Sequence, residues 1–345
     1  MIRRPAEAIL ARLPGHGTAR LPEGAVNAAL VAILLAWGLG AVAMGEAWYA
    51  NLASKAAILA LAGVGLNLAL GHGGMISLGH AAFFGIGGYV AGISADSALN
   101  GTPAVGWPLE IAGSTSMPVI WAVAMAVAAV VALAIGAISL RTRGVYFIMI
   151  TLAFAQMIYY FAISWPAYGG EDGLPIYVRN SFPGLDTYDA LSFFTLAAGA
   201  LGAGLLVSWW LVRTRFGAAL ECARMNPERL ATLGIEPFPV QLAAFVVSAA
   251  LTGLAGALFA DLNGFVSPAM LDWHTSGEII VFVLLGGVGR LFGPVAGAML
   301  FVALETVLGG LTQHWQLGLG LILLGVVLFA RGGLIGLLTG SARHA

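Results

Sequence analysis

Long stretches of the chain carry no charged side chain, and each is at least about as long as a membrane-spanning helix. Asp, Glu, Lys and Arg are absent from residues 24–45, 56–95, 111–140, 144–170, 190–212, 237–260 and 306–330. A helix needs about 20 apolar residues to cross a bilayer. Because lipid offers no hydrogen-bond partner to a free backbone amide, each stretch is predicted to be helical.

The division of these stretches predicts an all-α integral membrane protein with about ten transmembrane helices, some of them short or broken. The stretch 56–95 is about twice as long as one span needs, so we place a turn near residues 71–74. Charges interrupt the region 277–311 at Glu278, Arg290 and Glu305. The predicted helices are 25–45, 54–71, 75–95, 117–139, 145–164, 190–212, 239–260, 277–289, 292–311 and 315–330.

Composition agrees with a chain that faces lipid. Of its 345 residues, 60% are hydrophobic and only 9% are charged, whereas a soluble domain has about 25% charged residues. The formal net charge of −1 argues against a nucleic acid as partner. The single cysteine, Cys222, excludes a framework of disulfides within the chain.

The basic residues predict the orientation, because Lys and Arg in short loops stay on the cytoplasmic side. With both termini in the cytoplasm, all 15 of them except Lys55 and Arg179 fall inside. The predicted organisation is a cytoplasmic N-terminal segment 1–24, a transmembrane domain 25–332 and a cytoplasmic tail 333–345. The loop 165–189 is then periplasmic and the loop 213–238 cytoplasmic. The basic N-terminal segment is predicted to be a cytoplasmic leader and not a cleaved signal peptide.

Glycines mark both close packing and breaks in the membrane region. Gly85, Gly88 and Gly92 recur at helical spacing, and small residues let helices approach closely in lipid, so this face is predicted to contact another helix. The glycines at 71–74 are too dense for a regular helix and predict a break. A second region interrupted by Gly and Pro is 283–300. Such breaks line the pathway in transporters.

Four ionisable residues in or near the spans are candidates for function. His72 and His80 lie too far apart along the chain for a helical metal pair, which needs a spacing of about three or four residues. They are either neutral and bonded to neighbouring backbone or hydroxyl groups, or they contact a substrate or gate. Glu278 and Glu305 are intramembrane acids with either a functional or a structural role. We predict no metal, no cofactor and no catalytic residue.

The loop 213–238 contains the signals of a short helix. Asn226 is a suitable cap, Pro227 suits the first helical position and Glu228 favours the positive end of the helix. Gly234 is a natural stop. Leu230 and Leu233 are expected to share one face. The helix either rests on the membrane surface or inserts into a partner protein.

Five segments resemble, in the same order, the permease subunits of branched-chain amino acid ATP-binding-cassette importers of the LivM type. The match runs from about residue 63 to residue 332, and the segments read "GVGLNLALGHGGMISLGHAAFFGIGGYVAG", "YGGEDGLP", "ERLATLGIEPFPVQLAAFVVSAALTGLAGALFA", "GFVSP" and "VLLGGVGRLFGPVAGAML". The resemblance implies a sister permease (LivH-like), two ATP-binding subunits and a periplasmic substrate-binding protein as partners, in the bacterial inner membrane. It also implies that the loop 165–189 lies on the side where the binding protein sits.

The resemblance assigns roles to two groups of residues. The coupling helix that contacts the ATP-binding subunits would comprise Asn226, Pro227, Glu228, Arg229, Leu230, Leu233 and Gly234. The substrate pathway would include His72, Met75, Ser77, His80 and Phe83. Family members often read "GYTGQLSLGHAAF" here, so His72 replaces Tyr and Met75 replaces Gln. This departure leaves the small-molecule substrate open among branched-chain amino acids, amides, urea and small carboxylates.

Two other classes of function remain as alternatives. The only lysine is Lys55, and no phosphate-binding loop surrounds it, so an ATP-driven system needs ATPase subunits as separate chains. A self-sufficient ion-coupled secondary transporter or channel would rely on Glu278 or Glu305. A membrane enzyme would need a cluster of His, Asp or Cys within the spans, and the sequence contains no such cluster.

Overall fold

The computed structural model describes residues 23–101, 103–105, 111–311, 314–329 and 332–339. Its α-helices are α1 Glu23–Ala43, α2 Ala47–Asn67, α3 His80–Asn100, α4 Met117–Ser139, α5 Val145–Ile163, α6 Ala190–Arg213, α7 Arg215–Met225, α8 Pro227–Thr232, α9 Pro237–Asn263, α10 Trp273–Gly286, α11 Gly293–Leu311, α12 Trp315–Phe329 and α13 Gly333–Thr339. A π-helical turn, Leu68–His72, extends α2, and 3₁₀ turns cover Pro166–Tyr168 and Pro268–Leu271. Short antiparallel strands pair β1 Pro103–Val105 with β2 Ile111–Ala112, and β3 Leu174–Pro175 with β4 Phe265–Val266.

The helices match the predicted spans. Within the described residues, eight helices are long and apolar enough to cross a membrane, and α10 is a shorter apolar helix. Every predicted span has a counterpart among α1–α6 and α9–α12, which confirms an all-α integral membrane protein. The side of the membrane on which each terminus lies stays a prediction. Residues 1–22 and 340–345, which make up most of the two predicted terminal segments, lie outside the described residues.

Two charged side chains lie deeper within helices than the sequence pattern predicts. Lys55, expected at the outer end of its helix, stands within α2 and forms an ion pair with Glu305 of α11 over 2.8 Å. Asp261 belongs to α9 and is fully buried, with Asn180 donating a hydrogen bond to its Oδ1 over 2.7 Å. Because each charge has a partner inside the protein, the helix continues past it.

Helices α2 and α9 form the centre of the protein. Helix α2 is enclosed by α1, α6, α9, α10 and α11, and its residues from Ala56 to Asn67 are all buried. The alanines and glycines of that stretch let the neighbouring backbones come close. Helix α9 packs on α2, α3 and α4. Helix α5, in contrast, buries only Phe147, Thr151 and Ala155 and exposes an apolar side.

The predicted glycine face of α3 contacts mainly the segment 265–271, which lies between α9 and α10 and includes a 3₁₀ turn. A side chain at Gly85, Gly88 or Gly92 would first meet residues of the segment 265–271. The side chains opposite are Leu271, Met270 and Val266, respectively. A Cβ at Gly88 would also lie 3.5 Å from the carbonyl oxygen of Gly256 in α9, so the predicted contact with another helix is made at this glycine, whereas the main contact of the face is with the segment 265–271.

The tightest helix contact of α3 uses a different glycine. A methyl group at Gly87 would collide with the backbone carbonyl of Gly253 in α9, and one at Gly256 would collide with the carbonyl of Phe84. The two backbones therefore touch directly, which only glycine permits. This reciprocal contact holds α3 against the central helix α9.

The chain returns into the helix bundle between α9 and α10. Strand β4 pairs with β3 of the loop 165–189, and the 3₁₀ turn that follows lies along α3. In the first turn of α10, Ser276 Oγ donates to the carbonyl of Leu78 over 2.7 Å and accepts from the amide of Ala81 over 2.8 Å. Helix α10 therefore begins beside the N-terminal end of α3. The opposite end of α3, at Asn100, lies about 30 Å away along the axis of that helix.

Candidate translocation and coupling site

The predicted break in the first glycine-rich stretch is present. After the π-helical turn, residues 73–79 are not helical, and Gly74 has a positive φ of 68°. The amides of Gly74 and Met75 still bond to the carbonyls of Leu70 and Ala69, over 3.1 and 3.0 Å. A non-helical backbone inside a membrane protein needs such internal partners. The break is therefore built into the fold.

Asn67 joins this break to the second glycine-rich region. Its side-chain Nδ2 donates to the carbonyl of Arg290 over 2.9 Å, and its Oδ1 accepts from the amide of Gly289 over 3.0 Å. Asn67 is only 2% exposed, so these two bonds satisfy a buried amide. The two interrupted regions thus contact each other through one side chain.

His80 is bonded to a neighbouring helix inside the chain. Its Nε2 lies 2.7 Å from Ser248 Oγ of α9, and that hydroxyl donates to the carbonyl of Gly65 in α2 over 2.6 Å. Phe83 and Phe245 pack edge-to-face against the imidazole and against each other. Of the two predicted roles for His80, the geometry favours the histidine bonded to a hydroxyl, which ties α3, α9 and α2 together.

The five predicted pathway residues lie in two different environments. Ser77, His80 and Phe83 have no exposed surface, and Ser77 Oγ accepts from the amide of Gly79 over 3.1 Å. His72 ends the π-helical turn and is half-buried. Met75 is buried but lines a cavity of about 320 Å³. Their contact with a transported molecule stays a prediction.

This cavity separates the break from the predicted cytoplasmic loops. Its walls come from the break, from the connection between α4 and α5, and from the end of α7 and the start of α8. They include Gly74, Ile76, Arg143, Arg224 and Pro227. The cavity is therefore bordered both by the helix break and by the predicted coupling helix.

Arg224 connects the two sides directly. Its Nη1 donates a hydrogen bond to the carbonyl of Gly71 over 2.6 Å, and its side chain packs on Gly74. Leu220, one turn earlier on α7, is fully buried and lies near Gly73. Helix α7 is thus attached to the break by one polar and one apolar contact.

The short helix predicted in the cytoplasmic loop is present as α8. Asn226 Oδ1 caps it by accepting from the amide of Arg229 over 3.0 Å, and Pro227 and Glu228 occupy its first turn. Gly234 follows the helix with a φ of 81°, a conformation that favours glycine. The predicted capping residues and the predicted stop are confirmed.

The expectation that Leu230 and Leu233 share one face is wrong. Leu230 is 2% exposed and packs inside the chain, whereas Leu233 caps the C-terminal end and is 70% exposed. The helix is too short to present two leucines as a single stripe. The exposed apolar surface around α8 instead consists of Leu233 with Met225 and Ile235.

At the C-terminal end of α9, Arg179 fixes the loop 165–189 to that helix. Its guanidinium donates to the carbonyls of Asp261, Leu262 and Thr187 over 2.9, 3.0 and 2.7 Å, and it stacks over Phe193. Burial lowers the pKa of Arg179, and the nearby charge of Asp261 opposes that shift. The C-terminal carbonyls of α9 therefore have a cationic cap.

Several of these residues were not singled out from the sequence. Asn67, Arg224 and Ser248 are common polar residues whose partners lie far away along the chain, so no local pattern marks them. Within the described ranges, there is no group of three or more His, Cys, Asp or Glu side chains that could hold a metal ion.

Comparison with known proteins identifies the family of this chain. The sequence profile described as "Branched-chain amino acid transport system / permease component" matches residues 48–331. The chain belongs to this family. The permease family accounts for all the spans from α2 to α12, and the chain is accordingly a multi-pass protein of the inner membrane.

Relatives within the permease family are transport subunits. The high-affinity branched-chain amino acid transport system permease protein LivM of Salmonella typhimurium is 28% identical, over 89% of this chain and 73% of the relative. LivM of Escherichia coli is similar to the same extent. The autoinducer 2 import system permease protein LsrC of Salmonella paratyphi B is 30% identical over 47% of this chain and 48% of its own. No solved structure matches the chain.

Proposed function

We propose that the chain is the permease subunit of an ATP-binding-cassette importer for branched-chain amino acids or a related small amide or carboxylate. Family membership and the similarity to LivM over most of the chain support this assignment. The similarity to LsrC is the reason to leave the solute open within the class of small polar molecules. The chain itself is non-catalytic, and ATP is hydrolysed by separate subunits.

The observation that carries the proposal is the hydrogen bond between Arg224 and the carbonyl of Gly71. It joins the predicted coupling segment to the break in the membrane region. When ATP binding moves the docked ATPase, α7 and α8 move with it, and Arg224 transmits the displacement to residues 71–74. Because Gly74 already has a left-handed backbone, the break changes shape at less cost than a regular helix.

The docking surface for the ATPase is the exposed apolar group around α8. Met225, Leu233 and Ile235 are 75%, 70% and 43% exposed, although each is large and apolar. Exposed apolar groups beside charged residues mark protein contacts, and the exposed Glu228, Arg229 and Glu236 are close neighbours of this group along the chain. The remaining partners are a sister permease (LivH-like), a second ATP-binding subunit and a periplasmic binding protein near the loop 165–189.

In this alternating-access mechanism, the substrate pathway runs beside the break. Gly74 and Ile76 are exposed and His72 is half-buried, so these residues form the accessible side of the break. Met75 lines the cavity next to the coupling helix. Ser77, His80 and Phe83 form the packed wall behind it.

A single exposed residue tests the docking assignment. Leu233→Asp places a charge in the proposed contact without disturbing the buried Leu230, so the permease stays inserted while the ATPase no longer co-purifies with it. Leu99→Asp is the matched control, because Leu99 is 52% exposed at the far end of α3. Normal co-purification of the ATPase with the Leu233 variant would refute the assignment.

A further inference from the structure

Polar side chains form a line along α10 and its neighbours, on a face that is partly exposed in the described part of the chain. The line begins at Gln156 of α5, whose Nε2 donates to Asp272 Oδ1 over 3.3 Å, and continues to His274, whose Nδ1 lies 2.5 Å from Asp272 Oδ2. Glu278 follows one turn after His274 on the same face of α10, and α10 packs on α2 and α11, which carry Lys55 and Glu305. We call these six residues the polar track: Gln156, Asp272, His274, Glu278, Lys55 and Glu305.

The polar track is accessible although it lies among membrane-spanning helices. The side chain of His274 is 67% exposed, and those of Lys55 and Glu305 are 27% and 28% exposed. Helix α10 starts beside the N-terminal end of α3, so its first turns lie within the bundle and not at the far end of α3. Charged side chains are costly against lipid, and in membrane proteins they face a bundle interior or a water-filled cavity.

The exposed side of α4 differs from the polar track. The exposed positions of α4 are apolar, as lipid requires: they include Val119, Val123, Val127, Val130, Leu133 and Ile138. The track differs in kind, since it presents three carboxylates, one ammonium, one imidazole and one amide. We therefore expect water, and not lipid, at the face formed by α2, α10 and α11.

The charges of the track are not balanced. Lys55 is paired with Glu305 over 2.8 Å. Asp272 accepts from the amide of Trp273 over 2.8 Å and from Gln156 and His274, so its oxygens are already engaged. Within the part of the chain that the structure describes, Glu278 has no ion-pair partner within 4.0 Å. Glu278 is thus the carboxylate that remains available for a cation.

We infer that the polar track is this chain's share of the translocation pathway, and that Glu278 accepts hydrogen bonds from the ammonium group of the transported solute. The inference rests on the proposed function and narrows it to solutes with a protonated amine. A carboxylate binds an ammonium group through short charge-assisted hydrogen bonds.

Cysteine labelling of the complete transporter, purified with its co-expressed partners in nanodiscs, tests the inference. In a Cys222→Ser background, Gly277→Cys adds a thiol beside Glu278 where a new Cβ meets nothing within 4 Å. Val130→Cys is the control, because Val130 is 69% exposed on the apolar face of α4. The probes are a trimethylammonium and a sulfonate methanethiosulfonate of similar size, each normalised to its reaction with a free thiol.

We expect Gly277→Cys to react at least ten-fold faster than Val130→Cys, to prefer the cationic probe, and to be protected by leucine during turnover. Adding Glu278→Gln is expected to abolish the preference for the cation. A rate as slow as that of Val130→Cys would overturn the pathway assignment, and an unchanged preference in the Glu278→Gln variant would overturn the role of Glu278. If Gly277→Cys does not assemble, Thr275→Cys on the same helix replaces it.

Leucine uptake by the unmodified transporter, measured in the same preparation, distinguishes a failure of the proposed function from a failure of the polar-track inference. Absence of ATP-driven uptake would count against the proposed function, whereas the labelling rates report on the polar track whether or not leucine is the solute. Fast, cation-selective labelling without leucine uptake would support the track and direct the search to another amine.

Discussion

Arg224 Nη1 lies 2.6 Å from the carbonyl oxygen of Gly71, and this hydrogen bond joins helix α7 to the break that follows α2. The two residues are 153 positions apart in the chain. On one side the bond reaches the capped helix α8, and on the other it reaches the turn of backbone that leads to His80. A movement of the predicted coupling segment therefore has a direct route into the membrane region.

The first prediction concerns this hydrogen bond. Arg224→Ala removes the donor, so ATPase subunits still bind but their movement no longer reaches the break. We expect solute uptake to fall at least ten-fold while co-purification of the ATPase is unchanged. Arg215→Ala on the same helix is the control, since Arg215 is exposed and, among the described residues, donates no hydrogen bond to the break. Equal uptake by both variants would show that Arg224 transmits nothing.

Asn67 provides a prediction about stability. Asn67→Ala leaves the amide of Gly289 and the carbonyl of Arg290 without their partner, at a cost of about 1–3 kcal/mol for each buried group. The detergent-solubilised protein should unfold at a clearly lower temperature in a thermal denaturation experiment. Asn51→Ala, at an exposed position of the same helix, should leave the midpoint unchanged. An unaltered midpoint for the Asn67 variant would mean that the two breaks are held together by other contacts.

Gly87 tests the contact between α3 and α9. Gly87→Ala forces a methyl group against the carbonyl of Gly253, so the helices must separate or shift. Overpacking of this kind costs about 1–3 kcal/mol or more, and we expect a lower yield of folded protein. Gly199→Ala in α6 is the matched control, because a Cβ there meets nothing within 4 Å. The two variants are compared by size-exclusion chromatography after extraction, and identical profiles would contradict the close approach.

The spans and the capped helix were predictable because their causes are local. Lipid admits no unpaired backbone, so each long uncharged stretch had to be helical. The cap of α8 depends on Asn226, Pro227 and Gly234, which are neighbours in the sequence. Glycine density predicted a break at 71–74, but the non-helical backbone covers residues 73–79, so α3 begins at His80 and not at residue 75.

The contacts between distant segments were not predictable. Asn67 and Arg290 are 223 positions apart, and no property of either residue names the other. The contact of the α3 glycine face with the segment 265–271 was not predictable, because glycine spacing shows that a face is small but not which segment lies opposite. Leu230 was misassigned because a helix of fewer than two turns has no reliable apolar stripe, and α7 and α9 decide what it contacts.

The account depends most on the claim that this chain is a passive gate driven by a separate ATPase. The direct test is solute uptake into proteoliposomes that contain the chain and its sister permease, with and without the ATP-binding subunits. We predict that leucine, presented by its binding protein, accumulates only when the ATP-binding subunits and internal ATP are both present. Accumulation driven by a proton or sodium gradient, without those subunits, would contradict the account.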